Sequence, residues 1–124
     1  KVGVRIIFDE NLARLVLAGS DALLMPSRYE PCGLTQMFAL RYGTLPIVRA
    51  TGGLRDTVRN GETGFSFEDA APSALDGAVG VFLDAYYDRP RLDRLRRAAM
   101  SEDFSWNRSA ARYAALYDEV TGVD

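Results

Sequence analysis

Residues 27–38, Ser-Arg-Tyr-Glu-Pro-Cys-Gly-Leu-Thr-Gln-Met-Phe, hold one carboxylate, one thiol and a glycine just ahead of an apolar helical pattern. The spacing predicts a helix beginning near Gly33. The amides of Cys32, Gly33, Leu34 and Thr35 would then have no intrahelical acceptor. Together with the helix dipole, such amides bind an anion or donate to a sugar hydroxyl, and a glycine lets the ligand approach the main chain. Glu30, just upstream, accepts from hydroxyls. One loop therefore offers the two opposite hydrogen-bonding characters that a sugar phosphate requires. A plainer reading fits the same pattern. A carboxylate ahead of a helix complements the dipole by about 0.3–1 kcal/mol, and glycines make turns. The residues alone leave both readings open.

The rest of the composition narrows the chemistry. The chain has 124 residues and no histidine, and Lys1 is its only lysine. A histidine base, a Ser-His-Asp triad and a histidine metal site are therefore excluded, and no metal or cofactor is expected. Cys32 is the single cysteine, so no intrachain disulfide can form and a reducing compartment, the cytoplasm, is the expected setting. With no histidine or lysine beside it in sequence, Cys32 is read as contributing its backbone rather than a nucleophilic thiolate. A net charge of −2 provides no attraction to nucleic acid or to an anionic membrane. The longest uncharged apolar run, 77–83, is far too short to span a bilayer, and the N-terminus shows no signal-peptide pattern.

These residues need elements to position them. Apolar runs at 4–8, 21–27, 45–50 and 63–67 read as strands, and helical patterns lie between them. Leu12, Leu15, Val16 and Gly19 share one helical face; Leu34, Met37, Phe38 and Leu40 share another, closed by Gly43. Continuously apolar strands alternating with helices of about ten residues indicate a parallel sheet buried on both faces. After residue 68 the pattern is wholly helical. Helices open at Pro72 and Pro90, and a last one follows Ser105 with Trp106, Ala110, Tyr113, Leu116, Tyr117 and Val120 facing in. The fold class is α/β: a Rossmann-like parallel sheet of about four strands, flanking helices and an all-helical final third. Residues 1–124 read as a single, partial Rossmann-like domain, with 69–124 as a helical closing segment within it. Ligands of such sheets lie beyond the carboxyl ends of the strands. Those ends here are Phe8-Asp9-Glu10, Arg28 to Thr35, and Arg49 to Leu54. Thr51, Gly52 and Gly53 form a second glycine-rich helix start at the same crevice, read either as site-shaping or as plain turn residues.

The segment "PSRYEPCGLTQMFALRYGTLPIVRATGGLRDTV" at 26–58 resembles, without gaps, the signature segment of bacterial glycogen synthases and plant starch synthases. "NGETGFSFED" and "DFSWNRSAARYAALY" are similar to that family's next strand and closing helix. The resemblance implies a retaining glucosyltransferase with two Rossmann-like domains, the GT-B architecture, of which this chain matches the later part of the C-terminal, donor-binding domain. It implies transfer of glucose from ADP-glucose, or UDP-glucose, to the nonreducing end of an α-1,4-glucan. Carried over, Glu30 is the catalytic-site residue that accepts from the donor glucose, and the Cys32 and Gly33 amides donate to the same edge. Leu34, Thr35 and Gln36 lie by the phosphates and ribose. Phe8 stands where the family stacks an aromatic ring on adenine, with core packing as its plainer role. Related GT-B families place a second glutamate eight positions after the first, but Phe38 stands there. Glu30 is thus read as a sugar binder rather than a nucleophile, which would need a second carboxylate about 5 Å away.

The family's pyrophosphate-holding arginine and lysine, and its N-terminal acceptor domain, have no counterpart in these residues, so the isolated chain is expected to be catalytically silent. The partners expected are the nucleotide-sugar, the glucan and that N-terminal domain. If residues 4–8 and 21–27 belong to a 3-2-1-4-5-6 sheet, two strands separate them. The chain then closes the gap, pairs with a second copy or stays poorly ordered there. Three alternatives remain: a noncatalytic glucan- or nucleotide-binding module, a fragment of another GT-B enzyme, and a phosphoacceptor receiver. The receiver also requires a strand-end aspartate and an internal lysine that the sequence lacks.

Overall fold

The computed structural model describes residues 2–122. In chain order the elements are α1 (Glu10–Gly19), β1 (Ala22–Met25), α2 (Thr35–Tyr42), β2 (Leu45–Arg49), α3 (Gly53–Thr57), β3 (Phe65–Phe67), α4 (Pro72–Tyr87), α5 (Arg89–Met100) and α6 (Trp106–Thr121). The three strands form one parallel sheet in the order β1-β2-β3. The α/β expectation holds, with three strands in place of about four.

The central strand explains the layering. Leu45, Pro46, Ile47 and Val48 of β2 are all buried, as a parallel strand covered on both faces requires. Leu45 and Ile47 join Phe65 and Phe67 of β3 in the main core, closed by Ala78, Phe82 and Ala85 of α4 and by Leu92, Leu95 and Ala99 of α5. Phe65 meets Phe82 edge to face, with ring centroids 6.0 Å apart. Val48 points the other way, to Leu54 and Val58. Gly43 ends α2 in the left-handed conformation with φ of 75°, as its sequence position predicted. The buried Thr44 hydroxyl next to it donates to the Leu17 carbonyl, fastening the end of α1 to the start of β2.

Three expectations of the sequence need correction. Residues 4–8 form no strand; Ile6 is 98% and Phe8 94% exposed. A strand has no hydrogen bonds of its own, and β1 pairs only with β2, so this segment has no ladder to join. The gap in the sheet is not closed by residues 4–8. The helical faces are also rotated. α1 packs on α2 through Leu17, while Leu15 and Val16 stay exposed. α2 buries Gln36, Ala39 and Leu40, an i, i+3, i+4 set, which turns Leu34 and Phe38 outward. Finally, α6 buries none of its residues, and its Trp106, Tyr113, Leu116, Tyr117 and Val120 all face solvent. The periodicity of α6 identified a face but carried no information about what covers it. Among the described residues, no helix is long and apolar enough to cross a membrane.

Candidate functional site

The three loops that leave the carboxyl ends of β1, β2 and β3 meet at one end of the sheet. Arg49, the last residue of β2, draws them together. Its Nε donates to the Glu68 carbonyl at 3.0 Å, and an Nη donates to the Arg28 carbonyl at 2.8 Å. The loop after β1 is thereby tied to the end of β3.

α2 begins at Thr35, two residues later than predicted, because Gly33 has φ of +70° and Leu34 occupies the capping position. No side chain caps this helix start. The orphan amides are therefore those of Leu34, Thr35, Gln36 and Met37. α1 differs: the Asp9 carboxylate accepts from the amides of Asn11 and Leu12 at 2.9 and 3.0 Å, so the acidic pair after residue 8 is partly consumed in capping. The two helices start at the same end, since Glu10 and Thr35 both line a groove of about 530 Å³ between them. Phe8 lies at this end too, one residue before the cap of α1, with its ring exposed rather than packed in a core.

The two glycine loops press main chain against main chain. The Gly53 amide donates to the Pro31 carbonyl at 3.1 Å. A Cβ on Gly52 would stand 1.8 Å from the Glu30 carbonyl oxygen, and one on Gly53 2.4 Å from that of Cys32. Gly52 and Gly53 are thus in direct apposition to the loop that carries Glu30 and Cys32, while Thr51, just before them, accepts from the Leu54 amide at the start of α3. Gly52 has φ of +48°, a further reason for glycine there.

Beneath the loops, the Gln36 side chain is fully buried. Its Nε2, with two hydrogens to donate, lies within hydrogen-bond distance of three acceptors, the carbonyls of Cys32 and Gly33 at 3.0 and 2.9 Å and the Thr57 hydroxyl at 3.1 Å. Its donation is shared among them, while its Oε1 is buried with no partner among the described residues. Of the candidate residues, Gln36 therefore turns its side chain inward and offers only its main-chain N–H at the helix start. Thr35 and Leu34 are exposed at that start, as is Cys32 in the loop before it. Glu30 stands out among the carboxylates. Only two of the described acidic residues are partly buried, Glu30 and Glu102. Glu102 pairs with Arg59 at 2.7 Å, whereas Glu30 makes no hydrogen bond or ion pair with any described residue. Sequence reasoning placed Asp9 and Arg49 at strand ends but missed the capping role of the one and the clamping role of the other, and it missed Thr57 altogether. Asp9 carried a readable signal, an aspartate just ahead of a helical pattern; for Arg49 and Thr57 nothing in the sequence marked their partners.

Residues 4–101 match the family described as Glycosyl transferases group 1. The chain belongs to this family. Among similar members is a glycogen synthase from Myxococcus xanthus, 56% identical over 122 residues, which are 97% of this chain and 26% of that protein. A glycogen synthase from Thermodesulfovibrio yellowstonii is 49% identical, with 98% of this chain and 24% of that protein covered. The catalytic domain of starch synthase IV from Arabidopsis thaliana, solved with ADP and acarbose, superposes with a TM-score of 0.83 at 40% identity, covering 92% of this chain and 25% of that one. The resemblance read from residues 26–58 is borne out, and the fold is that of a GT-B glycosyltransferase segment. The group 1 glycosyltransferase chain spans about a quarter of the length of these relatives.

Proposed function

We propose that this chain is the donor-binding part of a retaining glucosyltransferase of the glycogen and starch synthase kind. Its donor is ADP-glucose and its acceptor the nonreducing end of an α-1,4-glucan, held by a further domain of the same enzyme. The partly buried, unpartnered Glu30 supports this reading most directly. A carboxylate with no protein partner keeps its acceptor oxygens free, and sugar hydroxyls are donors suited to them. In this reading the amides of Cys32 and Gly33 donate to the same sugar edge. The uncapped amides at Leu34, Thr35 and Gln36 face the phosphates and ribose, with the helix dipole favouring the anion. Phe8 stacks on the base, and Thr51, Gly52 and Gly53 set the depth of the cleft.

Glu30 serves as a binder and not as a nucleophile, since Phe38 stands where a paired glutamate would be. Retention then follows from departure of the nucleoside diphosphate and attack of the acceptor hydroxyl on one face of the sugar, the donor phosphate taking up the acceptor's proton. The reading calls for no resident cofactor. The ADP held by the starch synthase IV structure agrees with an adenine donor. Calorimetric titration with ADP, ADP-glucose, UDP-glucose and maltooligosaccharides tests it. ADP-glucose is expected to bind, and Glu30→Ala to weaken it about tenfold or more through loss of charge-assisted hydrogen bonds. Binding of glucan alone would indicate a noncatalytic module instead, and binding of no nucleotide would refute the reading.

A further inference from the structure

We propose that Thr57, which lies outside both ligand-facing loops, is a positioning residue that sets the spacing of those loops through Gln36. This rests on the donor-site reading above. At Gly52 and Gly53 the contact between the loops is glycine on main chain. The register of the loops therefore depends on hydrogen bonds. α3, which presents Gly53, is only five residues long, and Leu54 is its one buried residue, so packing holds it weakly.

The hydrogen bonds close a ring. The Thr57 hydroxyl donates its one proton to the Gly53 carbonyl at 2.6 Å and accepts from Gln36 Nε2 at 3.1 Å. Gln36 donates in turn to the Cys32 carbonyl, and the Gly53 amide returns to the Pro31 carbonyl. Two side chains thus join the main chains of both loops. Gln36 cannot reverse its amide, because its oxygen would then face two carbonyls. The Thr57 hydroxyl is the one group of the ring that both donates and accepts, and among the described residues it is the link running from the Gln36 side chain to the second loop. Without it, the spacing of Glu30 and the amides beside it from Gly52 and Gly53 would rest on the Gly53–Pro31 hydrogen bond, the glycine contact and Arg49 alone, and would be held less firmly.

Thr57→Val removes the hydroxyl at nearly constant volume, and Thr57→Ser restores it. Two quantities are measured on the chain and both variants: hydrogen exchange of the Gly53 and Val48 amides, and affinity for ADP. In Thr57→Val, Gly53 is expected to exchange about tenfold faster with Val48 unchanged, and ADP to bind about fivefold more weakly, as loss of one net hydrogen bond implies. Thr57→Ser is expected to recover both. An unaltered Gly53 rate, an unaltered ADP affinity, or equal acceleration at Gly53 and Val48 would each overturn the proposal; the last would mark a purely structural residue. If the unsubstituted chain fails to bind ADP, the donor-site reading falls. The exchange rates then decide the ring alone: faster Gly53 exchange in Thr57→Val, reversed in Thr57→Ser, supports it.

Discussion

Gly53→Ala is the sharpest perturbation of the loop contact. A Cβ at this position would stand 2.4, 2.6 and 2.8 Å from the oxygen, Cα and carbonyl carbon of Cys32. All three are main-chain atoms, so no side chain can swing aside, and the loop has to retreat by about 1 Å. The retreat stretches the 3.1 Å bond from Gly53 N to Pro31 O, worth about 1 kcal/mol net. Overpacking adds about 1–3 kcal/mol. Alanine recovers up to about 1 kcal/mol of helix propensity. The balance is a loss of about 2 kcal/mol, a large share of an ordinary domain's stability of about 5–15 kcal/mol. With a urea slope of about 2 kcal/mol per molar, the unfolding midpoint followed by circular dichroism falls by about 1 M. Gly61→Ala is the control. Gly61 has φ of +76° but open space around it, so it incurs only the backbone strain, about 1 kcal/mol. If Gly53→Ala costs no more than Gly61→Ala, the two loops do not press on each other and the account of the cleft is wrong.

Other substitutions probe separate parts of the molecule. Gly77 and Gly80 lie inside α4 with nothing near their missing Cβ atoms, so each change to alanine should stabilise by about 0.5–1 kcal/mol in the same urea titration; a loss at either would show a hidden close approach. Arg49→Lys keeps the charge but cannot reach the Glu68 and Arg28 carbonyls together; a loss of about 1 kcal/mol is expected on thermal unfolding, and an unchanged melt would deny the clamp. Hydrogen bonds from the Ser105 backbone amide, at 2.8 Å, and the Ser105 hydroxyl hold the Asp103 carboxyl below its usual range, with the Arg108 charge adding to them. A depressed carboxylate stabilises the fold above the unfolded value, about 3.9, and ceases to as pH falls through the lower folded value. The stability difference between the unsubstituted chain and Asp103→Asn should therefore be constant from neutral pH down to about 5 and disappear in stronger acid. A difference that persists there would refute the assignment.

Much of this was legible in the sequence because local rules and tertiary packing agreed. The buried β2 announced itself as an unbroken apolar run, Gly43 as a stop, and Pro72 as a helix start. The failures share a cause. The run at 4–8 is as β-branched as any real strand here, yet a strand exists only with a neighbour, which no local pattern encodes. The facing of α1, α2 and α6 depends on which elements pack on them. Leu17 is buried because α2 covers it, while the equally apolar Leu15 and Val16 meet solvent. In the site, the glycines at 33, 52 and 53 and the carboxylate at 30 could be picked out by residue type. The inward turn of Gln36 and its bond to Thr57, across 21 residues of sequence, could not.

An uncapped helix start is weak support for a binding cleft, because α3, α4 and α6 also lack side-chain caps. What separates α2 is the company its first turn keeps. Its preceding loop is held open from beneath by a buried glutamine and pressed from the side by two glycines, where any side chain would collide with main chain. A loop that served only as a connection would gain nothing from such tight backing, and glycine at both 52 and 53 costs conformational entropy in the unfolded chain. Rigid backing does matter if the outward surface must keep donors and one carboxylate at fixed separations. The other described acidic residues pair with arginine, cap a helix, accept from a neighbouring amide as Asp103 does, or stand free in solvent. Among the described acidic residues Glu30 alone is both partly buried and unpaired, at the point where the two loops meet, and hydroxyls of a bound sugar are donors suited to it.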